Sequence, residues 1–163
     1  MAQLPYKVGG EIRESLEEVS QAQTELVKAL TKEWSKTASV RMGMFGRPEL
    51  FNGYVTGLDN RPVLIQQEHT VLVYVLQSDE AIIMQYALVL LYEELLSRGY
   101  KHGDDFGFVA NIHDEYQAEV RDDLVPEFKE LAEWSIEQAS RLLGCPVLQK
   151  GEADVGVNWS ETH

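Results

Sequence analysis

Apolar residues recur at three- and four-residue spacing from Glu11 to about Lys36: Ile12, Leu16, Val19, Leu26, Leu30 and Trp34. That period predicts a long amphipathic helix, preceded by the Gly9–Gly10 pair. Its other face (Arg13, Glu17, Glu18, Glu25, Lys28, Lys32) is charged and solvated. Thr37 to Asn52 holds two glycines and a proline with no sustained period, and reads as a loop. Two short apolar runs, Tyr54–Thr56 and Pro62–Leu64, flank the turn-rich Gly57-Leu58-Asp59-Asn60-Arg61, which predicts a hairpin. From about Glu68 to Ser97 the pattern is helical and apolar nearly all round, the mark of a central helix buried on most of its surface. Phe106–Ile112 and Tyr116–Val120 then read as two strands around His113-Asp114-Glu115. Val125 to Leu143 is a further amphipathic helix, with Gly144 as its stop and Pro146 after it. One or two short strands are expected between Val147 and Val157. The fold class is therefore α+β, an antiparallel sheet backed by long helices.

Composition changes this picture in two ways. The 163 residues, 44% of them apolar, suffice for one domain or a large piece of one. The single cysteine, Cys145, excludes an internal disulfide and is expected to pack as a small hydrophobe. The opening MAQLPYKVGG has neither a basic start nor an apolar core, and Ala87–Tyr92 is too short to span a bilayer. A cytoplasmic setting is expected. Net charge is −13, with 14 Lys and Arg against 27 Asp and Glu. A domain that held DNA alone would carry a basic face, because phosphate neutralisation supplies most non-specific affinity. Any nucleic-acid contact by this chain must be local, or most of a basic groove must come from elsewhere.

The residues with most chemical content are His113-Asp114-Glu115, at the tip of an apolar hairpin. A tight strand–turn–strand holds carboxylates rigidly, and adjacent acidic groups suit Mg²⁺, which takes one or two carboxylates plus substrate phosphates. Polar residues are also what any turn prefers, so the triplet alone decides nothing. His69 and Gln77 are by themselves ordinary helix residues, and Trp34, Trp134 and Trp159 are too dispersed to form a base-stacking platform.

An apolar strand ending in His113-Asp114-Glu115 and followed by Tyr116-Gln117-Ala118-Glu119-Val120 resembles motif C of the family A (DNA polymerase I-like) DNA polymerases. The ending Gly156-Val157-Asn158-Trp159-Ser160-Glu161-Thr162-His163 is similar to the family's terminal Asn-Trp and His. Gly57-Leu58-Asp59-Asn60-Arg61 resembles the phage-type GLDGR segment, and leads into His69 and Leu76-Gln77-Ser78, similar to the helix that reads the primer–template minor groove. The resemblance covers Tyr54 to His163 well and Gly9 to Trp34 loosely.

The resemblance implies a palm subdomain over residues 53–163 and, over residues 1–52, a helix and loop at the end of the fingers. It makes Asp114 a ligand of the catalytic metals, Glu115 its supporting carboxylate and His113 a neighbour of the primer end. Gln77, His69, Arg61 and His163 match positions that contact DNA or lie near it. It implies two Mg²⁺ ions, which lower the pKa of the primer 3′-hydroxyl and stabilise the in-line transition state.

The departures are equally specific. The family's second metal aspartate, in motif A, and the fingers helix that grips the triphosphate have no counterpart here, nor have the thumb and exonuclease. Val73 stands where an asparagine is usual, which removes about 1 kcal/mol of duplex contact. The expectation is one subunit of a split DNA-directed DNA polymerase, inactive alone. A separate polypeptide would supply motif A, fingers, thumb and exonuclease, and primer–template DNA and dNTP would be its ligands. Met1 and the family-like ending fit a whole gene product broken just after the fingers. The alternative is a non-catalytic, polymerase-derived module that binds a replication protein; a small independent nuclease lacks the carboxylates and histidines it would need.

Overall fold

The computed structural model describes residues 6–112 and 114–162, with side chains described from Ser20 onward except that of Trp159. The chain is α+β. Among the described residues there are three α-helices, α1 (Tyr6–Thr37), α2 (Val71–Ser97) and α3 (Val125–Leu142). Six strands form three antiparallel hairpins: β1 (Ser39–Met42) with β2 (Pro48–Phe51), β3 (Gly53–Thr56) with β4 (Pro62–Ile65), and β5 (Phe106–Ile112) with β6 (Glu115–Val120). The chain divides into two compact units, residues 1–76 and 77–163.

The first unit is organised by Trp34. Its ring is fully buried among Val55, Ile65, Val71 and Val75, with Leu30, Ala38 and Val63 around them. The indole Nε1–H donates to the Ile65 carbonyl at 2.8 Å, so burial leaves no orphaned donor. Thr37, at the end of α1, donates from Oγ1 to the Tyr54 carbonyl at 2.8 Å and accepts from the Tyr54 N–H at 2.7 Å. Gly53 is the residue that lets the strand approach: a Cβ there would fall 2.6 Å from the Trp34 ring and from its carbonyl oxygen. The β3–β4 turn closes on Gly57 N–H to Arg61 O (2.8 Å) and Asn60 N–H to Gly57 O (3.0 Å), with Asn60 at φ 65.

Two expectations change here. Helix α1 begins at Tyr6, so Gly9 and Gly10 lie inside it. The expected loop from Thr37 to Asn52 contains the β1–β2 hairpin, whose residues are exposed on both faces except Phe51. Strand β1 does alternate (Ser39, Val40, Arg41, Met42), with Val40 opposite Leu50 and Met42 opposite Pro48, but the run is only four residues long and its apolar face covers no core.

The second unit packs β5–β6 against α3 and the C-terminal half of α2. Leu91, Leu95, Phe106, Leu124, Phe128, Leu131 and Ala132 form its core, with Tyr100, Phe108, Tyr116, Ala118 and Val120 against it. Helix α3 starts with Pro126 in its first turn and ends at Gly144 (φ 69). Arg121 binds Asp105 and Asp123, which ties the turn before β5 to the start of α3. Cys145 is half-buried and its thiol is free. No strand forms between Val147 and Val157; this tail runs beside α3, Gln149 N–H on Ser140 Oγ (3.0 Å) and Ala153 N–H on Glu133 Oε1 (3.2 Å).

Helix α2 is not buried on most of its surface. Ala87, Leu91 and Leu95 form its inward stripe in the second unit, while Tyr86, Val89, Tyr92 and Leu96, also at three- and four-residue spacing, stay exposed.

Gly53→Ala and Trp34→Phe are each expected to destabilise the chain by about 1–3 kcal/mol, the first by overpacking and the second by orphaning the Ile65 carbonyl. Equilibrium urea unfolding checks both. Glu127 is held below the usual carboxylate range by hydrogen bonds from Tyr100 (2.6 Å) and then Arg98 (2.6 Å). A carboxylate lowered in the folded state contributes stability above its unfolded pKa and loses it as pH falls through the folded one. Glu127→Gln should therefore flatten the acid limb of Tm against pH, with little pH-dependent change near neutrality.

Candidate active site

The β5–β6 hairpin carries the acidic tip. Its register pairs Phe106 with Val120 and Phe108 with Ala118, then shifts so that Ala110 meets Gln117, Asn111 meets Tyr116 and Ile112 meets Glu115. Val109 is the extra residue, a β-bulge. Without it, Phe106, Phe108, Ala110 and Ile112 would share one face. With it, Phe106 and Phe108 stay over the aromatic core, while Ala110 and Ile112 join Glu115 and Gln117 on the opposite face.

The hairpin is pinned from below. Phe108 packs edge-on to Tyr116 at 6.1 Å between ring centres and lies 6.3 Å from Phe128. The Tyr116 hydroxyl reaches the Ala132 carbonyl (3.2 Å) and Ser135 Oγ (3.3 Å) on α3. Burial pushes that phenol's pKa up, partly offset by Ser135. It therefore stays a neutral hydrogen-bonding anchor.

Asp114 occupies the turn and is exposed; Glu115 opens β6, half-buried. Gln117, two residues along the same strand face, donates its amide to Glu115 Oε1 at 2.5 Å. That positioning contact was not foreseen, although the two-residue spacing of Glu115 and Gln117 carries the signal. His113 and His163 lie outside the described residues.

The tip opens into a cleft of about 1050 Å³ between β6, the start of α3 and the tail. Asp114, Glu115 and Gln117 line one part of it and Gly156, Asn158 and Glu161 another. Glu161 receives the Val157 N–H (3.0 Å) and the Asn158 amide (3.3 Å), which folds the tail into a short turn at Trp159–Glu161. The acidic tip and the Asn-Trp tail, separate motifs along the sequence, thus line one cleft.

The other predicted contacts fall elsewhere. Gln77 is exposed on α2, one turn after the exposed Val73. His69 is exposed in a 3-10 turn (Glu68–Thr70), and Arg61, in the β3–β4 turn, binds the Asp59 carboxylate. Desolvation raises the Asp59 pKa, but hydrogen bonds from the Arg61 backbone and guanidinium bring it net below its ordinary value. Arg61 and His69 belong to the first unit, Asp114 and Glu115 to the second.

Among the described residues, no three His, Cys, Asp or Glu side chains are grouped to hold a metal. Asp114 with Glu115 beside it matches the part of a Mg²⁺ shell that protein carboxylates supply, one or two groups, the rest being phosphate and water. The donor set fits half of a shared site and does not fit a closed cage. No described helix is long and apolar enough to cross a membrane.

No family model matches the chain. Relatives are found among phage enzymes: the chain is 32% identical over 113 residues to the DNA-directed DNA polymerase of Enterobacteria phage T3. It is 31% identical over 116 residues to that of Escherichia phage T7, and 26% over 118 residues to that of Escherichia phage Phieco32. Each match covers 68% of this chain, which spans 16% of the T3 and T7 proteins and 19% of the Phieco32 protein. With an α+β fold that puts an acidic tip and the tail at Asn158 in one cleft, and with these relatives across two thirds of its length, the chain is homologous to phage-type, family A DNA-directed DNA polymerases, of which it spans less than a fifth.

Proposed function

We infer that this chain is the C-terminal palm part of a split DNA polymerase, and that it contributes Asp114 to a two-metal nucleotidyl-transfer site. The observation that carries the reading is the rigid β5–β6 tip, in a chain related to phage polymerases. Residues 53–163 form the palm part and residues 1–52 the segment that follows the fingers. Asp114 would hold Mg²⁺ together with a carboxylate of a second polypeptide, while Glu115, fixed by Gln117, supports the tip. His113 lies near the primer end. Bound Mg²⁺ would lower the pKa of the primer 3′-hydroxyl and stabilise the in-line transition state. Arg61, His69, Gln77 and His163 face the primer–template, and dNTP is the second substrate. The complex works in the cytoplasm of the host cell.

The exposed apolar surface supports the second polypeptide. Tyr86, Val89, Tyr92 and Leu96 form an uncovered stripe on α2, and Val109 and Ile112 are uncovered on β5. Contiguous apolar faces of this kind mark interfaces. The β5–β6 sheet has only two strands, so a strand of the partner can add to its edge. The partner carries motif A, fingers and thumb, and with them most of the basic groove.

The reading is tested by recovering the tagged chain with its bound partner and assaying primer extension with Mg²⁺ and four dNTPs. Asp114→Asn should lower extension by at least about a hundredfold, as expected when charge stabilisation at the reacting centre is lost, without loss of the partner. Full extension by that variant would refute the metal role, and a bound partner with no extension in either form would make the chain a non-catalytic module. Val89→Asp should leave the isolated chain's stability within about 0.5 kcal/mol, since the side chain is 55% exposed. It should abolish co-purification, because in the complex it buries an unpaired charge.

A further inference from the structure

The β1–β2 hairpin has no part in the site described above. It covers no core, yet its turn is tightly closed: Gly43 N–H bonds Arg47 O at 2.8 Å, Gly46 N–H bonds Gly43 O at 3.0 Å, and Gly46 sits at φ 68. This closed turn carries two adjacent large apolar side chains in water, Met44 at 92% and Phe45 at 88% exposure. Two neighbouring apolar residues so exposed on an ordered turn point to a contact surface.

Charge identifies what that surface meets. Residues 77–163 hold eighteen Asp and Glu against six Lys and Arg, whereas residues 1–76 are close to neutral, nine against eight. The longest stretch of the chain without an acidic residue is Trp34–Pro48, and it holds Lys36, Arg41 and Arg47. Arg41 pairs with Glu49 one step from the turn, over the Phe51 ring (5.2 Å) and 3.7 Å from the Glu49 carboxylate. Arg47, beside the tip, is exposed and makes no ion pair among the described residues. A slender two-stranded ribbon with cations flanking an apolar tip has the dimensions and chemistry for a nucleic-acid groove. Phe and Met are among the side chains that wedge against base steps while Arg engages the backbone.

We propose that the β1–β2 hairpin is a duplex-DNA contact, with Arg47, Arg41 and Lys36 on phosphates and Phe45 and Met44 packed into the groove as a wedge. It rests on the polymerase reading for its ligand, and assigns to this segment a local basic contact within an acidic chain.

The test is fluorescence anisotropy of the full chain with a labelled primer–template duplex at several salt concentrations. A second duplex carries 2-aminopurine to report unstacking. The wild type should bind at low salt and brighten the 2-aminopurine. Phe45→Ala should weaken binding about tenfold, in line with the loss of one base–aromatic contact, and remove the brightening. Arg47→Ala should reduce the salt slope by about one. Both side chains are exposed, so both variants should keep the wild-type circular dichroism. No binding by the full chain at low salt, or variants that bind as the wild type does, would overturn the proposal. So would a Phe45→Ala variant that keeps its DNA affinity and loses only a protein partner. Asp114-dependent primer extension by the complex, with no hairpin effect on duplex binding, would overturn this inference alone and leave the polymerase reading in place.

Discussion

The constraint on which this structure turns is that α2 is apolar around most of its circumference while, among the described residues, only part of it is buried. Ala87, Leu91 and Leu95 go inward, and Tyr86, Val89, Tyr92 and Leu96 remain in water. A free-standing domain would carry Lys or Glu at such positions, as α3 does on its outer side with Lys129 and Glu133. The same deficit recurs on β5, where Val109 and Ile112 are exposed beside a sheet of only two strands. Leaving large side chains uncovered forgoes about 1.5–3 kcal/mol each, so a sequence that retains several of them is built to bury them against something else.

The bulge at Val109 links that constraint to chemistry. It lets one strand serve two surfaces: Phe106 and Phe108 fill the core beneath, and two residues later Ile112 has turned to the face of Glu115 and Gln117. The tip is fixed by Tyr116 on α3 from one side and by the Gln117–Glu115 contact on the other. Both restraints are local to the second unit. Asp114 is thus presented on a framework that the chain assembles from its own residues, although one carboxylate is too few for a two-metal site.

Much of this was legible in the sequence. Long helical periods located α1, α2 and α3, and Gly57–Arg61 located the β3–β4 turn, because those elements bury a stripe or demand particular turn residues. The β1–β2 hairpin was hard to read because its alternation lasts only the four residues Ser39–Met42, before a segment bearing Gly43, Gly46 and Pro48. The flip of Ile112 was hidden for a different reason: a bulge is a register event, and Phe106–Ile112 reads as one uninterrupted alternation. The uncovered side of α2 was misread as buried because composition records what a helix is made to cover, and not whether the covering mass is present. The motif residues Asp114 and Glu115 were readable by type and order, and the Gln117 restraint by its two-residue spacing, whereas the shared cleft with Asn158 and Glu161 required three-dimensional proximity.

Net charge then separates two kinds of surface on this chain. The acid-rich second unit is poorly suited to phosphate, and its apolar faces are suited to protein; its acidity also keeps uncovered Tyr, Val and Leu side chains from self-association through like-charge repulsion. The near-neutral first unit has two of its eight cations, Arg41 and Arg47, on the β1–β2 hairpin, within the stretch where acids are missing. Negative charge is thus concentrated in the unit that carries the exposed apolar stripe, while the longest acid-free stretch runs into the β1–β2 hairpin, so a chain of charge −13 still holds a locally basic segment.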